Sequence, residues 1–236
     1  MSAMNIVEAA GKAAGTVGKG RHGRRRAATR AALVQAAQQL IAEGRTDVPI
    51  STITELADVG FGSFYNHFKT KEQLFSVAFA EAMEGFSLTL GRLIKGVDDP
   101  ARAVAIGFRV IGRVAEVAPG FASLVTRSGP ASLLFDGALR QTSVHLIGRG
   151  IRSGRFSLPS AEVAYAAIGG SLLGVVSWLL SEPGESTEDV VDALAAGVLR
   201  MLGLPDDESE LIAREELPEC IPDESLAALA PFVKAS

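Results

Sequence analysis

The spacing of apolar residues predicts that almost the whole chain is helical. From Thr29 onward, apolar residues recur every three or four positions, as on one face of a helix, and Gly44 is suited to end that helix. A short second helix is expected directly afterwards, with Asp47 as its cap and Pro49 in its first turn. These two elements bury little surface by themselves, so they require further helices.

Two more helices follow at close spacing. A tight turn over 57–60 precedes a third short helix over 61–66, and Asp58 is expected to adopt the left-handed conformation that the turn needs. Thr70 and Gln73 form a capping-box pattern that begins a long helix, which we expect to end near residue 95. Because two short helices joined by a four-residue turn need another helix to complete their core, the pattern predicts a three-helix, helix-turn-helix domain.

The remainder of the chain is predicted to be a larger helical body. Breaks rich in proline and glycine separate the expected helices, which cover 100–117, 119–127, 130–152, 160–181 and 186–203. Residues 161–180 are long and apolar enough to span a membrane, but their small residues and the lack of basic flanks favour a buried helix and no membrane. The expected fold class is all-α, and the acidic residues after 205 are expected to form a loose tail with one or two short helices.

Charge and composition divide the chain into unequal parts. Residues 1–71 contain 10 Lys and Arg against 5 Asp and Glu, whereas residues 72–236 contain 13 against 22, so only one end suits a polyanion. The glycine-rich segment 11–23 buries too little surface to offset its ordering, so residues 1–27 are expected to form a flexible basic arm, or else an ordinary solvated tail. The single cysteine, Cys220, favours a reducing, cytoplasmic compartment.

The most specific signal is the segment ADVGFGSFYNHFKTKE, residues 57–72. It resembles the signature of the TetR family of repressors, although Asp58 stands where the family has a turn glycine and Gly60 where it has a capping serine. The resemblance implies a homodimeric, ligand-responsive repressor that binds a palindromic operator in double-stranded DNA and is released by a small apolar or amphipathic effector. It also implies a DNA-binding domain over 28–75 and an effector-binding and dimerisation domain over 76–205. The many acidic residues over 206–236 indicate an acidic C-terminal extension.

The third helix is expected to enter the major groove as the recognition helix. Phe61 is suited to contact a thymine methyl group or, alternatively, to join the core. From the resemblance, Tyr65 is expected to bind phosphate; His67 is a further DNA contact or a local cap, and Lys71 a phosphate contact or a free surface lysine. The expected DNA contacts are Arg24, Arg25, Arg26, Thr29, Arg30, Phe61, Gly62, Ser63, Tyr65, Asn66, His67 and Lys71.

Two roles are expected in the helical body, as the resemblance implies. Apolar and small residues on the helices 160–181 and 186–203 are expected to form a four-helix dimer interface or, alternatively, to pack inside one subunit. The large or polar-tipped side chains expected around an effector cavity are Phe86, Phe108, Phe121, Phe135, His145 and Trp178. The arginines of the body are expected to form a solvated basic face or, alternatively, to receive an acidic effector such as an acyl thioester of coenzyme A. They are Arg102, Arg109, Arg113, Arg140, Arg149, Arg152 and Arg155.

No catalytic motif competes with this interpretation. The three histidines have no partner at metal-ligand spacing, and the sequence contains no nucleophile elbow, phosphate loop or dinucleotide fingerprint. We therefore expect no enzymatic activity, no metal and no cofactor. The alternatives are a non-specific nucleoid-type DNA-binding protein, which would not explain the large apolar body, and a helical enzyme.

Overall fold

The computed structural model describes residues 3–128, 137–182 and 186–218, with side chains described from His22 onward apart from Ser128. Every regular element in these ranges is a helix, which confirms the expected all-α class. The helices are α1 (Ala3–Ala42), α2 (Ile50–Leu56), α3 (Phe61–Tyr65), α4 (Lys71–Leu93), α5 (Pro100–Gly112), α6 (Val114–Val117), α7 (Pro119–Ser128), α8 (Ala138–Arg152), α9 (Ala161–Ser181), α10 (Thr187–Met201) and α11 (Asp206–Ala213).

The chain divides into two compact units. The head unit comprises Met1–Ala37 and Asp47–Ala78, and the body unit comprises Gln38–Thr46 and Phe79–Ser236. Helices α1 and α4 each supply residues to both units. An N-terminal helix-turn-helix unit followed by a larger helical unit is the arrangement that the sequence predicts.

Each of the four helices that enter the head unit buries a large apolar side chain. These side chains are Leu33 of α1, Ile53 of α2, Phe64 of α3 and Leu74 of α4. Burying a side chain of this size stabilises a fold by about 1.5–3 kcal/mol. Ala57 and Val59, which are also apolar, are only half-buried because they flank the turn between α2 and α3.

The turn after α2 has the predicted left-handed residue. Asp58 has a φ of 51°, which confirms the expectation. The Val59 N–H donates to the Thr54 carbonyl (3.0 Å) and the Asp58 N–H to the Glu55 carbonyl (3.1 Å), the two bonds of a Schellman motif. Gly60 then has extended backbone angles as the N-cap of α3, as expected.

Two helix starts differ from the prediction. Helix α1 begins at Ala3 and runs through the segment expected to be a flexible arm. The glycines there each disfavour a helix by only about 1 kcal/mol, and the alanine, lysine and arginine residues between them favour one. Asp47 was wrongly predicted to cap α2. The N-cap is Pro49, without a side-chain bond, and the Asp47 carboxylate instead accepts a hydrogen bond from Lys71 Nζ (2.8 Å).

Helix α5 is the central element of the body unit. It packs against α8, α9, α10 and α11, and it buries Phe108 and Val110. The approach of α10 is close, because a Cβ atom on Gly112 would lie 2.6 Å from Val191 Cγ1. The helix predicted over 100–117 is divided at Arg113 into α5 and α6. Of the helix predicted over 130–152, the described part is α8.

The acidic region after residue 205 contains one of the short helices that were expected there, α11. Helix α11 packs against α10 and α5 and buries Ser209, Ile212 and Ala213. Three acidic residues occupy its first turn, where they interact favourably with the positive end of the helix dipole. Residues 219–236 lie outside the described residues.

Among the described helices, only α9 is long and apolar enough to span a membrane. Its buried residues, including Ala164, Leu172 and Val176, face α5, α6, α7, α8 and α10. Core helices of globular proteins meet the same criteria of length and composition, so these alone assign no membrane span. The helix is not buried all round, however, because Val163 and Trp178 are exposed.

Candidate DNA interface and ligand cavity

Helix α3 presents two aromatic rings outward. Phe61 is 54% exposed and Tyr65 is 55% exposed, and their ring centroids lie 5.8 Å apart in an edge-to-face contact. Phe64, on the opposite face, is fully buried and supports Tyr65 at 5.3 Å. A Cβ atom on Gly62 would meet no atom within 4 Å, so the surface of α3 is open at this position. This arrangement excludes the core role for Phe61.

A basic cleft lies beside this helix. We call it the head cleft, and it is lined by His22, Arg25, Arg26, Thr29, Ser63, Asn66 and His67. Arg26 donates a weak hydrogen bond to the carbonyl of Asn66 (3.5 Å), which joins α1 to the end of α3. Partial burial lowers the pKa of His67, and the charges of Arg26 and Arg30 lower it further. The imidazole is therefore mainly neutral at pH 7 although it stands among cations.

The other residues predicted to contact DNA have varied surroundings. The Thr29 hydroxyl donates to the carbonyl of Arg25 (3.1 Å), and the Arg30 guanidinium lies 5.7 Å from the centroid of the Phe68 ring. Lys71 is not a free surface lysine, because its Nζ pairs with Asp47. Arg24 is exposed on α1 and does not line the head cleft. The structure thus brings six of the twelve predicted contacts into the cleft, with the aromatic pair beside it on α3.

The body unit contains a cavity of about 480 Å³ that is lined by the six consecutive helices from α4 to α9. Phe86, Phe108 and Phe121 line it, as predicted, and Phe79 stacks on Phe121 at 5.7 Å. The three other residues that were predicted for the cavity are not among the described residues that line it. His145 and Trp178 are exposed and do not line the cavity, and Phe135 lies outside the described residues.

The cavity also has a polar cluster, of which the sequence analysis named only Arg140, as one of the arginines that could receive an acidic effector. We use that name for Arg140 and Ser143 of α8 and Tyr165 of α9, which are all half-buried. Burial raises the pKa of the Tyr165 phenol, and the nearby charge of Arg140 partly offsets that effect. The i, i+3 spacing of Arg140 and Ser143 was visible in the sequence, but the packing that places Tyr165 of the predicted helix 160–181 beside them was not.

Four arginines of the body form neither a solvated basic face nor a site for an acidic effector, the two alternatives that the sequence left open. Arg109 is 4% exposed and binds Asp192 through two hydrogen bonds (2.6 and 2.8 Å) and the carbonyl of Glu215 (2.6 Å). The three other arginines each pair with carboxylates of the same chain. They are Arg102, Arg113 and Arg155. These side chains do not line the cavity, so they give no support to a coenzyme A thioester site.

No metal site is found in the described ranges, where no group of three or more histidine, cysteine, aspartate or glutamate side chains is arranged to hold an ion. The described geometry instead combines an exposed recognition helix with a separate apolar cavity. These features define the class as a helix-turn-helix transcription regulator with a ligand-binding body.

Comparison with known families identifies the class more closely. Residues 32–78 match the bacterial regulatory proteins of the tetR family, and residues 99–215 match the tetracyclin repressor-like C-terminal domain. The chain belongs to the TetR family of bacterial transcription regulators. A search of curated proteins gave no significant match.

Solved structures of several regulators share the fold. The structure of RolR in complex with resorcinol is 31% identical, has a TM-score of 0.69, and matches 84% of this chain and 98% of RolR. RolR without ligand is 28% identical, with a TM-score of 0.65 and coverage of 80% and 98%. The ketosteroid regulator KstR2 of Mycobacterium tuberculosis is 18% identical, with a TM-score of 0.53 and coverage of 75% and 95%, and shows similarity of fold alone.

Proposed function

We propose that the protein is a cytoplasmic, homodimeric repressor that binds a palindromic operator and is released by a small apolar or amphipathic effector. The observation that best supports this proposal is that the same chain contains two features. One is an exposed aromatic helix, α3, beside a basic cleft, and the other is a separate apolar cavity. The first suits DNA and the second suits a small molecule. We assign DNA binding to residues 28–75, effector binding and dimerisation to residues 76–205, and the acidic extension to residues 206–236.

On DNA, α3 would present its two exposed rings to the major groove. We assign base contact to Phe61, because an exposed apolar ring is suited to a thymine methyl group. We assign phosphate binding to Tyr65 and to the head cleft, where cations and hydrogen-bond donors adjoin the same helix. Lys71 would have to share its charge between phosphate and Asp47, so we expect a smaller contribution from it.

The outer faces of α9 and α10 support the proposed dimer. Exposed residues of α9 recur at helical spacing and are mostly small: Val163, Ala167, Gly170, Gly174 and Trp178. A second stripe on α10 is half-buried or exposed: Val190, Ala193, Leu194, Gly197 and Met201. Other apolar residues of α10, such as Val191 and Leu199, are buried within the subunit. Two copies of the outer faces would form a four-helix interface.

The proposed effector acts through α4. This helix supplies Leu74 to the head unit core and Phe86 to the cavity wall, so a ligand that displaces the wall would alter the separation of the two recognition helices. RolR, which has a structure with resorcinol, supports a small aromatic or amphipathic effector. An effector shifts the equilibrium only by its differential affinity for the two states, typically about 1–3 kcal/mol.

Selection of DNA sequences by the full chain tests the proposal. We expect an inverted repeat with half-sites about one DNA turn, roughly 34 Å, apart. Tyr65→Ala should weaken binding to all sequences alike, whereas Phe61→Ala should change the preferred bases. A single asymmetric half-site, or binding without sequence preference, would contradict the proposal. With the selected operator, calorimetry should show that operator DNA weakens effector binding by the same factor as effector weakens operator binding.

Two glycines provide a matched test of the dimer. A Cβ atom at Gly174 on α9 or at Gly91 on α4 would meet no atom within 4 Å of the same chain, so the subunit accepts a side chain at either position. We expect Gly174→Gln to yield monomers in light scattering, because the longer side chain prevents close approach of a second copy. Gly91→Gln should remain dimeric. Equal masses for the two variants would count against this interface.

A further inference from the structure

The half-buried polar side chains of the cavity wall are concentrated at one place, which favours a particular kind of ligand. Glu84, Gln141 and Thr142 line the cavity but are exposed, and the Thr126 hydroxyl donates to the carbonyls of Ala122 (3.0 Å) and Ser123 (3.1 Å) within its own helix. The half-buried polar side chains that remain at the wall are those of the polar cluster. A ligand with a polar group therefore has one favoured place for it.

The polar cluster favours a negatively charged group. Arg140 is permanently charged, since its guanidinium does not lose a proton in proteins, and a hydroxyl of Ser143 lies one helical turn away. Glu162 of α9 is close enough for Arg140 to contribute to lowering its pKa, but this carboxylate is exposed to solvent and also accepts a hydrogen bond from the Ser160 hydroxyl. A carboxylate or phenolate inside the cavity would face less competition from solvent for Arg140 than this exposed group does.

The rest of the wall favours aromatic or other apolar groups. Phe79, Phe86, Phe108 and Phe121 all contribute to it, and the stacked pair Phe79–Phe121 provides a flat surface. Offset stacking on such rings adds to the stabilisation from burial alone.

The volume of the cavity sets the size of the ligand. A cavity of about 150 Å³ is sufficient for benzene. The present cavity of about 480 Å³ would remain largely unfilled by one ring, and unfilled apolar space forfeits dispersion contacts. A ligand that fills it needs the bulk of two to three rings.

We propose that the cavity selects a monoanionic amphiphile, with a carboxylate or phenolate on Arg140 and an apolar part of two to three rings against the phenylalanine wall. The exposed carboxylate of Glu84 at the same wall opposes a second negative charge, so polyanionic ligands are disfavoured. The inference rests on the proposed function, since it specifies the chemistry of the effector that the cavity takes.

Calorimetry on the full chain with three probes tests this assignment. The probes are biphenyl-4-carboxylate, the neutral biphenyl-4-carboxamide and the one-ring anion benzoate. We expect biphenyl-4-carboxylate to bind at least about tenfold more tightly than either other probe. Arg140→Gln should weaken the carboxylate about tenfold to a hundredfold, as expected for loss of a charge-assisted hydrogen bond, and should change the carboxamide less than about threefold. Arg152→Gln, an exposed arginine on the same helix, should change neither.

Several outcomes would overturn the assignment. They are no binding of any probe to the unaltered chain, equal affinity for benzoate and biphenyl-4-carboxylate, or an equal loss of both biphenyl probes in Arg140→Gln. If that variant does not fold, Arg140→Lys should keep the preference for the carboxylate over the carboxamide. Loss of that preference would show that the positive charge at residue 140 does not cause it. Operator binding measured by fluorescence anisotropy distinguishes a failure of the proposed ligand class from a failure of the proposed repressor function. Predicted probe selectivity without operator release would refute the repressor mechanism alone, whereas release by the carboxamide but not the carboxylate would refute the ligand class alone.

Discussion

The head cleft and the ion-pair network of the body both arise from arginine-rich stretches, but the arginines meet different partners. In the cleft, Arg25 and Arg26 lie beside the neutral His67. In the body, Arg102 pairs with Glu215 at 2.8 Å, and Arg155 with Glu208 at 2.7 Å. One cluster retains positive charge for an external polyanion, whereas the other is neutralised by carboxylates of its own chain.

The difference shows that an arginine cluster acquires its role from acidic residues distant in sequence. Glu215 lies 106 residues after Arg109 and 113 after Arg102 in the sequence. It belongs to the segment that follows α11, and it accepts hydrogen bonds from both arginines. The acidic extension thus contributes directly to the structure of the body. Exposed pairs of this kind are worth about 1 kcal/mol or less, but a buried arginine left without its partners is far more costly.

The largest expected effect is the loss of the buried arginine in the body. Arg109→Gln should destabilise the protein by about 3 kcal/mol, because it removes both short hydrogen bonds to Asp192 and the bond to the Glu215 carbonyl. Asp192 would then keep its longer ion pair with Arg113 (3.5 Å). For a chain of this size the melting temperature should fall by roughly 6–12 °C. Arg102→Gln, at the exposed pair, should lower it by no more than about 4 °C. Similar melting temperatures for the two variants would show that burial of Arg109 has no special importance.

The second effect is expected on DNA binding rather than on stability. Replacing both Arg25 and Arg26 with glutamine should weaken operator binding and flatten its salt dependence. If both arginines neutralise phosphates, the log–log salt slope should fall by up to about 1.8 per subunit. The melting temperature should stay constant, since the side chains of Arg25 and Arg26 are exposed. Arg127→Gln, an exposed arginine of α7, is the control and should leave the slope unchanged.

Local signals explain why the head unit was predictable in detail. Asp58 and Gly60 act within a few residues of their own positions, so the sequence predicted both conformations. The Thr70 hydroxyl likewise accepts from the Gln73 N–H (3.2 Å), as in the expected capping box, although the Gln73 side chain accepts from the Lys69 N–H (2.7 Å) and not from that of Thr70. Turn and cap chemistry depends on near neighbours, which the sequence displays directly.

Features that depend on tertiary contacts were predicted less well. The helices of the body were expected with nearly the observed bounds, but periodicity does not identify which residues meet across helices. Three of the six expected cavity residues line the cavity. Tyr165 was missed, and Arg140 was named only among seven arginines that could receive an acidic effector, because the packing of α8 on α9 brings the two residues together. Asp47 resembled a cap in sequence but binds Lys71, 24 residues away. The structure tests neither the proposed DNA contacts nor the domain limits, which stay predictions.

A smaller effect is expected from pH. The pKa of His67 lies below its ordinary value of 6.5, chiefly because of burial and also because of Arg26 and Arg30, so the free protein holds little imidazolium at pH 7. A phosphate in the head cleft would stabilise the imidazolium and raise that pKa, so the complex binds more protons than the free protein. Operator affinity should therefore rise as the pH falls from 7.5 to 6, by less than about tenfold per unit and subunit. His67→Gln should flatten the profile, and an unchanged profile in that variant would assign the dependence to another group.

The smallest effect concerns two turns with the same hydrogen bonds but different residues. Gly44 follows α1 with a φ of 68°, and the Arg45 N–H donates to the Leu40 carbonyl (2.8 Å), as Val59 donates to Thr54 after α2. Only Asp58 places a side chain on a left-handed residue, which is unfavourable for any residue with a Cβ atom. Asp58→Gly should therefore stabilise the protein by about 0.5 kcal/mol, the relief of strain being partly offset by the greater freedom of glycine in the unfolded chain. Gly44→Asp should destabilise it by about 1 kcal/mol through the backbone alone, because a Cβ atom there would meet nothing within 4 Å. Urea denaturation measures both changes, and a shift of the same sign in the two variants would contradict the comparison.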